Sequence, residues 1–171
     1  ILQIMGRPEW ALKTLYHGQP SFQTMMPYMP KNLNMNQLGQ FMNKTFSGRL
    51  NEQKIAAIRD QWKGKLVIKG IASEEDTEMA IKFGLDGIIV SNHGGRQLDA
   101  GQSTIKTLHP IVEKYKGQIK IMMDSGIRTG PDIARTIASG AEFAFLGRSF
   151  MYAVAALGDE LDDELIDEPV D

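Results

Sequence analysis

A chain of 171 residues with 42% hydrophobic and 23% charged side chains has the composition of one ordinary globular domain, which excludes wholesale disorder. The absence of cysteine excludes a disulfide scaffold, a thiolate metal site and a cysteine nucleophile, and no apolar run approaches the roughly 18 residues of a membrane-spanning helix. The net charge of −2 conceals an asymmetry: residues 159–171 carry eight acids and no base, leaving 13 acids against 19 bases over residues 1–158, a formal +6. That body attracts small anions. With no cluster of Lys and Arg interleaved with aromatics, no nucleic-acid partner is expected. No secretory signal opens the chain, and Ile1 in place of Met sets the expectation of a piece of something longer.

In chain order, residues 1–50 are rich in Met, Asn, Gln and Pro. A helix is expected over Pro8–Tyr16, with proline in its first turn and Gly18 at its end. The remainder of that stretch reads as irregular connection, its methionines as packing rather than ligands. From residue 51 to 158 the texture becomes regular. Continuous apolar runs at Leu66–Ile71, Gly87–Asn92, Ile119–Asp124 and Phe143–Gly147 predict parallel strands covered on both faces. Helices are predicted over Asn51–Trp62, Ser73–Phe83, a stretch near Pro110–Tyr115, Pro131–Ser139 and Ser149–Leu157. Ser73 and Thr129 stand where N-caps belong, and Pro131 at a helix entrance. The alternation predicts an α/β fold with four parallel strands. Residues 159–171 form an acidic tail expected to be disordered.

In such folds chemistry gathers at the C-terminal edge of the strands. That edge would carry Lys69 on the first strand, Ser91 to Arg96 on the second, Asp124 to Arg128 on the third, and Gly147 with Arg148 on the fourth. The last two loops read as an anion cradle: Gly126 and Gly147 let backbone approach a ligand, and Arg128 and Arg148 offer forked donors suited to phosphate. Helices beginning after them would aim positive dipole ends at the same place. His93 can take a proton near neutral pH, and Arg96 can fork onto a carboxylate, with Gly94 and Gly95 leaving room between them. Lys69, expected to point inward and be buried, would place a point charge on an anionic ring. His17 and His109 have no such setting and read as structural.

The segments KGIASEEDTEMAIKFGLDGIIVSNHGGRQLD and DSGIRTGPDIARTIASGAEFAFLGRSF carry a family resemblance. They resemble the FMN-dependent α-hydroxy acid dehydrogenases and oxidases, the family of glycolate oxidase, L-lactate oxidase and L-lactate dehydrogenase. The similarity runs in order from about Pro8 to Leu157, with Arg7-Pro8-Glu9-Trp10 resembling the start of the long excursion after the family's fourth strand.

The resemblance implies the C-terminal half, strands five to eight, of a TIM (β/α)8 barrel. It implies an FMN cofactor, a small L-2-hydroxy acid substrate of lactate or glycolate type, and no metal. Lys69 would contact the flavin and stabilise negative charge on its reduced ring, and Ser91 would bond its pyrimidine. His93 would be the general base and Arg96 the grip on the substrate carboxylate. Asp124, Gly126 and Arg128 would hold ribityl and phosphate, with Gly147 and Arg148 as the second phosphate loop. The family usually has Gly where this chain has Ser125, which is expected to narrow the loop without removing its backbone donors. A full barrel needs roughly 250 residues. The resemblance therefore implies an absent N-terminal half-barrel, or a homo-oligomer, covering an open sheet. The alternative function is a half-barrel that binds FMN or phosphate without turnover, or one that only self-associates. A cytoplasmic location, or one peripheral to a membrane, is expected.

Overall fold

The computed structural model describes residues 6–18, 23–31, 33–45 and 50–157. The chain separates into two compact units, Ile1–Arg49 and Leu50–Asp171. The acidic segment 159–171 and its expected disorder lie outside the described residues.

In the first unit, helix α1 spans Pro8–His17, with proline in the opening turn and the Gly18 N–H closing on the Thr14 carbonyl. Met26–Tyr28 form a single 3-10 turn, in which Met26 is 54% exposed and so fills no core. Helix α2, Met35–Thr45, stands where irregular connection is expected. Its start is fixed reciprocally: the Gln37 N–H donates to Asn34 Oδ1 at 2.9 Å, and the Asn34 N–H to Gln37 Oε1 at 3.0 Å. That is a capping box, and Leu38, Phe41 and Met42 follow on one half-buried face at i, i+3 and i+4.

The second unit runs α3 (Glu52–Gln61), β1 (Val67–Ile71), α4 (Glu74–Lys82), β2 (Gly87–Val90), α5 (Thr104–Tyr115), β3 (Lys120–Met123), α6 (Gly130–Ala138), β4 (Phe143–Ala144) and α7 (Arg148–Leu157). The strands form one parallel sheet in the order β1-β2-β3-β4. Ser73 caps where the sequence puts it, its Oγ accepting from the Asp76 N–H at 3.1 Å. Asn51, expected as the first helical residue, stands one position outside as a cap, its Oδ1 accepting from the Lys54 N–H at 2.9 Å. Helix α5 starts six residues before the stretch expected near Pro110 and carries that proline inside it. Burial of Thr104, Thr107, Leu108, Ile111 and Tyr115 along one stripe outweighs the lost backbone bond.

Among the described residues of the second unit, α4 and α5 pack on one face of the sheet. Ile88, Val90, Ile121 and Met123 point to the side on which α4 and α5 pack and are buried with Leu108 and Ile111. The opposite face holds Val67, Lys69, Ile89, Met122 and Phe143, paired in register across the four strands. There Val67 and Phe143 are 42% and 55% exposed. The continuous apolar runs therefore mark strands with two apolar faces, one of them open among the described residues.

A register shift between Lys69 and Ile71 decides what β1 offers to each side. In unbroken register Ile71 would fall opposite Ser91. The extra residue, Gly70, has φ 102°, and it re-aims the strand so that Ile71 pairs with Val90 and is buried, while Lys69 stays with Ile89 on the open face. At the other edge of the sheet Asp86 ties the strand starts together, accepting from the Leu66 N–H at 2.9 Å, Lys65 at 2.7 Å and Arg59 at 3.3 Å. The Lys65 bond foremost, then the Leu66 N–H, holds its carboxyl down at about 2.

Candidate functional site at the C-terminal strand edge

The four strand ends are joined by a chain of polar contacts. From β1, Lys69 Nζ donates to Ser91 Oγ, just past β2, at 2.8 Å, and pairs with the carboxylate of Asp124, just past β3. Ser91 is 3% exposed, and its Oγ also accepts from the His93 N–H at 3.1 Å. Lys69 is not buried as expected: its side chain is 48% exposed, because it stands on the open face. Burial works to raise the Asp124 carboxyl, but bonds from Lys69, Ser91 and Ser125 outweigh it and hold the group below its ordinary value. Lys69 is thus a cation with a fixed counter-ion.

The loop after β2 is built from left-handed backbone. His93, Gly94 and Gly95 have φ of 57°, 68° and 73° in succession. Asn92 Oδ1 accepts from the Gly94 N–H at 3.0 Å, and Asn92 Nδ2 donates to the Gln102 carbonyl at 3.1 Å. From the start of α7, the Arg148 guanidinium donates to the Gly94 carbonyl, and a Cβ at Gly94 would collide with it. The left-handed backbone favours glycine there, and a Cβ would displace the end of the flexible Arg148 side chain. Ser149 Oγ donates to the Arg128 carbonyl at 3.2 Å, linking the fourth loop to the third.

The third loop enters α6 through Asp132, whose Oδ2 accepts from the Arg128 and Thr129 N–H groups at 3.2 and 3.1 Å and from Thr129 Oγ1 at 2.9 Å. Those bonds, the Thr129 hydroxyl first, hold its carboxyl low. Among the described residues the side chains of His93, Arg96 and Arg128 make no hydrogen bond or ion pair. They are exposed and available to a ligand. Gly126 (φ 77°) and Gly147 both face open space, where a Cβ would meet nothing within 4 Å.

A cavity of about 750 Å3 opens beside Lys69, Ser91 and His93, walled by Gly70, Leu98 and Gln102. That is the size of a small-molecule site. A second cavity of about 380 Å3 lies on the helix side, where Lys114 is already paired with Glu74 at 3.2 Å. The strand edge therefore brings Lys69, Ser91, Asp124, Arg148 and the His93 loop into one bonded network, with Arg96, Arg128, Gly126 and Gly147 on the same loops. The donor set fits a phosphorylated anion such as FMN: free or shared cations, open glycines and two helix starts. Thr104, whose Oγ1 donates to the Ser125 carbonyl at 3.0 Å, and Asn92 belong to this network and are not legible as site residues from their types. An earlier start for α5 is the signal that leads to Thr104.

The profile of the family described as FMN-dependent dehydrogenase matches residues 1–167. L-lactate dehydrogenase of Vibrio parahaemolyticus is 43% identical over 168 residues, 98% of this chain and 44% of that protein. L-lactate dehydrogenase of Bartonella quintana is 40% identical over 161 residues, 94% of this chain and 42% of its own. The chain thus spans under half the length of these relatives. Among solved structures, the monotopic membrane protein (S)-mandelate dehydrogenase superposes with a TM-score of 0.78 at 36% identity, covering 88% of this chain and 39% of that one. A mandelate oxidase with benzoyl-formic acid gives 0.62 at 39% identity, covering 65% and 33%.

Proposed function

Since the chain belongs to the FMN-dependent dehydrogenase family, we propose that it supplies the FMN- and substrate-holding half of an enzyme that oxidises an L-2-hydroxy acid, of lactate or glycolate type, to the 2-keto acid. The observation that carries this reading is the convergence of a cavity, the His93 and Arg96 side chains, without partners among the described residues, and the Lys69–Ser91–Asp124 cluster on one edge of the sheet. FMN, when bound, accepts the hydrogen and electron pair that leave the substrate carbon.

The chain's own groups do the rest. Arg96 forks onto the substrate carboxylate and fixes which way the hydroxyl faces. The imidazole of His93 takes the hydroxyl proton as the C–H bond breaks, so the substrate leaves as the 2-oxo acid with two electrons fewer. Lys69, paired with Asp124, presents its ammonium to the cofactor ring, and Ser91 offers a buried hydroxyl next to it. Arg128, Arg148 and the first turns of α6 and α7 hold the phosphate, with Gly126 and Gly147 leaving backbone accessible to it. Similarity to a monotopic mandelate dehydrogenase supports a location peripheral to a membrane, and no described helix is long and apolar enough to cross one.

The test is optical. Purified protein is mixed with FMN, freed of excess, made anaerobic and given L-lactate or glycolate. Yellow protein bleached by either acid is the expected result. Yellow protein that neither acid bleaches supports a binding half-barrel without turnover, and protein that takes up no FMN overturns the assignment.

A further inference from the structure

We infer that Ser125 is a positioning residue, whose hydroxyl holds His93 in its working orientation by tying the loop after β2 to the loop after β3. The inference rests on the role proposed for His93 and goes beyond it.

Ser125 adopts φ 75°, a backbone region that glycine enters freely and serine does not. Something must repay that local cost, and the bonds made by this residue do. Its hydroxyl donates to Asp124 Oδ1 at 2.7 Å and accepts from the Gly94 N–H at 3.0 Å. Its carbonyl accepts from Thr104 Oγ1 at 3.0 Å, a hydroxyl on a residue only 3% exposed. A single side chain thereby joins the carboxylate that pairs with Lys69 to the peptide that follows His93.

His93 needs that support. It is one of two described non-glycine residues with positive φ, and the other is Ser125 itself. His93 is bracketed by two serine oxygens: its own N–H rests on Ser91 Oγ at 3.1 Å, and the next N–H on Ser125 Oγ. The imidazole has no hydrogen-bond partner among the described residues. The direction of its Cα–Cβ bond is therefore set by the backbone beneath it, which the two serine hydroxyls hold together with Asn92 and Arg148. Without the Ser125 hydroxyl, the Gly94 N–H keeps only Asn92 Oδ1, which is local to the same loop and does not anchor it to β3.

The substitutions separate this role from a merely structural one. Ser125→Gly removes the hydroxyl and also relieves the left-handed backbone, so its melting temperature should equal or exceed that of the unsubstituted chain. Ser125→Ala removes the hydroxyl and keeps the strain. In the chain without FMN, hydrogen exchange at the Gly94 amide should speed up about tenfold in both variants, the loss of one hydrogen bond. The His93 Cα and Cβ shifts should leave their left-handed values, with the amides of Ile121 to Met123 unchanged. Unaltered Gly94 exchange and His93 shifts in Ser125→Ala overturn the inference.

With FMN and saturating L-lactate, flavin reduction should fall about tenfold in both variants while the Kd for FMN stays within about twofold, as expected when one bond orienting the base is lost. Equal losses of affinity and rate would make Ser125 a cofactor-holding residue and overturn the positioning role. If the unsubstituted chain takes up no FMN, the proposed function falls, and the amide measurement still decides what Ser125 does.

Discussion

His93 sits at φ 57° with an exposed imidazole that has no partner among the described residues, the arrangement of a group held out toward a ligand rather than packed into a core. His17, by contrast, lies edge-on to Tyr16 with ring centroids 5.2 Å apart, within the first unit. His93→Ala removes the imidazole at an exposed loop position, at the cost of a less favourable left-handed residue, and should fold and retain FMN. Its rate of flavin reduction by L-lactate, followed by stopped-flow, should drop by about 10²–10⁴-fold. Loss of FMN in that variant would contradict the division of roles between His93 and the phosphate loops. Arg96→Lys should raise KM for the hydroxy acid by about tenfold with a smaller change in kcat, because an ammonium cannot reproduce a two-point grip on a carboxylate. At this scale the residue types were legible in the sequence: a His beside two Gly and an Arg, and a Lys and an Asp at strand ends. The bonds between them were not, since Lys69 and Asp124 are 55 positions apart.

At the scale of elements, the N-terminal edge of the sheet is held by Asp86, which gathers α3, the start of β1 and the start of β2 through Arg59, Leu66 and Lys65. Its folded value of about 2 lies below its ordinary 3.8. The sign follows: its contribution to stability is complete above about pH 4 and is lost as pH falls toward 2. Asp86→Asn should lower the melting temperature at pH 7, and the drop in melting temperature between pH 4 and 2 should be shallower than in the unsubstituted chain. An unchanged acid slope would assign that slope to the other lowered carboxyls, Asp124, Asp132 and Glu142.

The elements themselves were legible wherever local chemistry and burial agree, as at Ser73 and Thr129. Helix α2 was not, because the prolines at 20, 27 and 30 suggest broken chain while the Asn34–Gln37 pair that starts the helix departs from the Ser/Thr and Glu pattern. The predicted strands run past the observed ends at Val90, Met123 and Ala144, because the apolar runs continue into the loops that carry the site.

For the whole molecule, the open sheet face is the dominant feature of the second unit. Val67, Phe143 and Phe145 are 42%, 55% and 38% exposed, and the two Phe rings meet each other at a tilt, with centroids 4.9 Å apart. A contiguous apolar face of this kind binds hydrophobic dyes in the folded state. The chain should enhance the emission of ANS at neutral pH, and Phe143→Ser with Phe145→Ser should reduce that emission while leaving far-UV circular dichroism unchanged. Undiminished emission would place the apolar surface elsewhere, for instance on Phe150 and Met151 of α7, both 61% exposed.

The sequence by itself determined the strand and helix alternation, the family, and the loops on which the polar residues ride, because those depend on apolar periodicity, caps and short motifs within about ten residues. Only the tertiary structure decided that Gly70 turns Lys69 to the open face while burying Ile71, that Ser125 reaches Gly94, and that Arg148 reaches back to the same peptide. Those outcomes depend on strand register and on contacts spanning 31 and 54 positions. No local pattern encodes such distances, since they are fixed by how neighbouring strands pair.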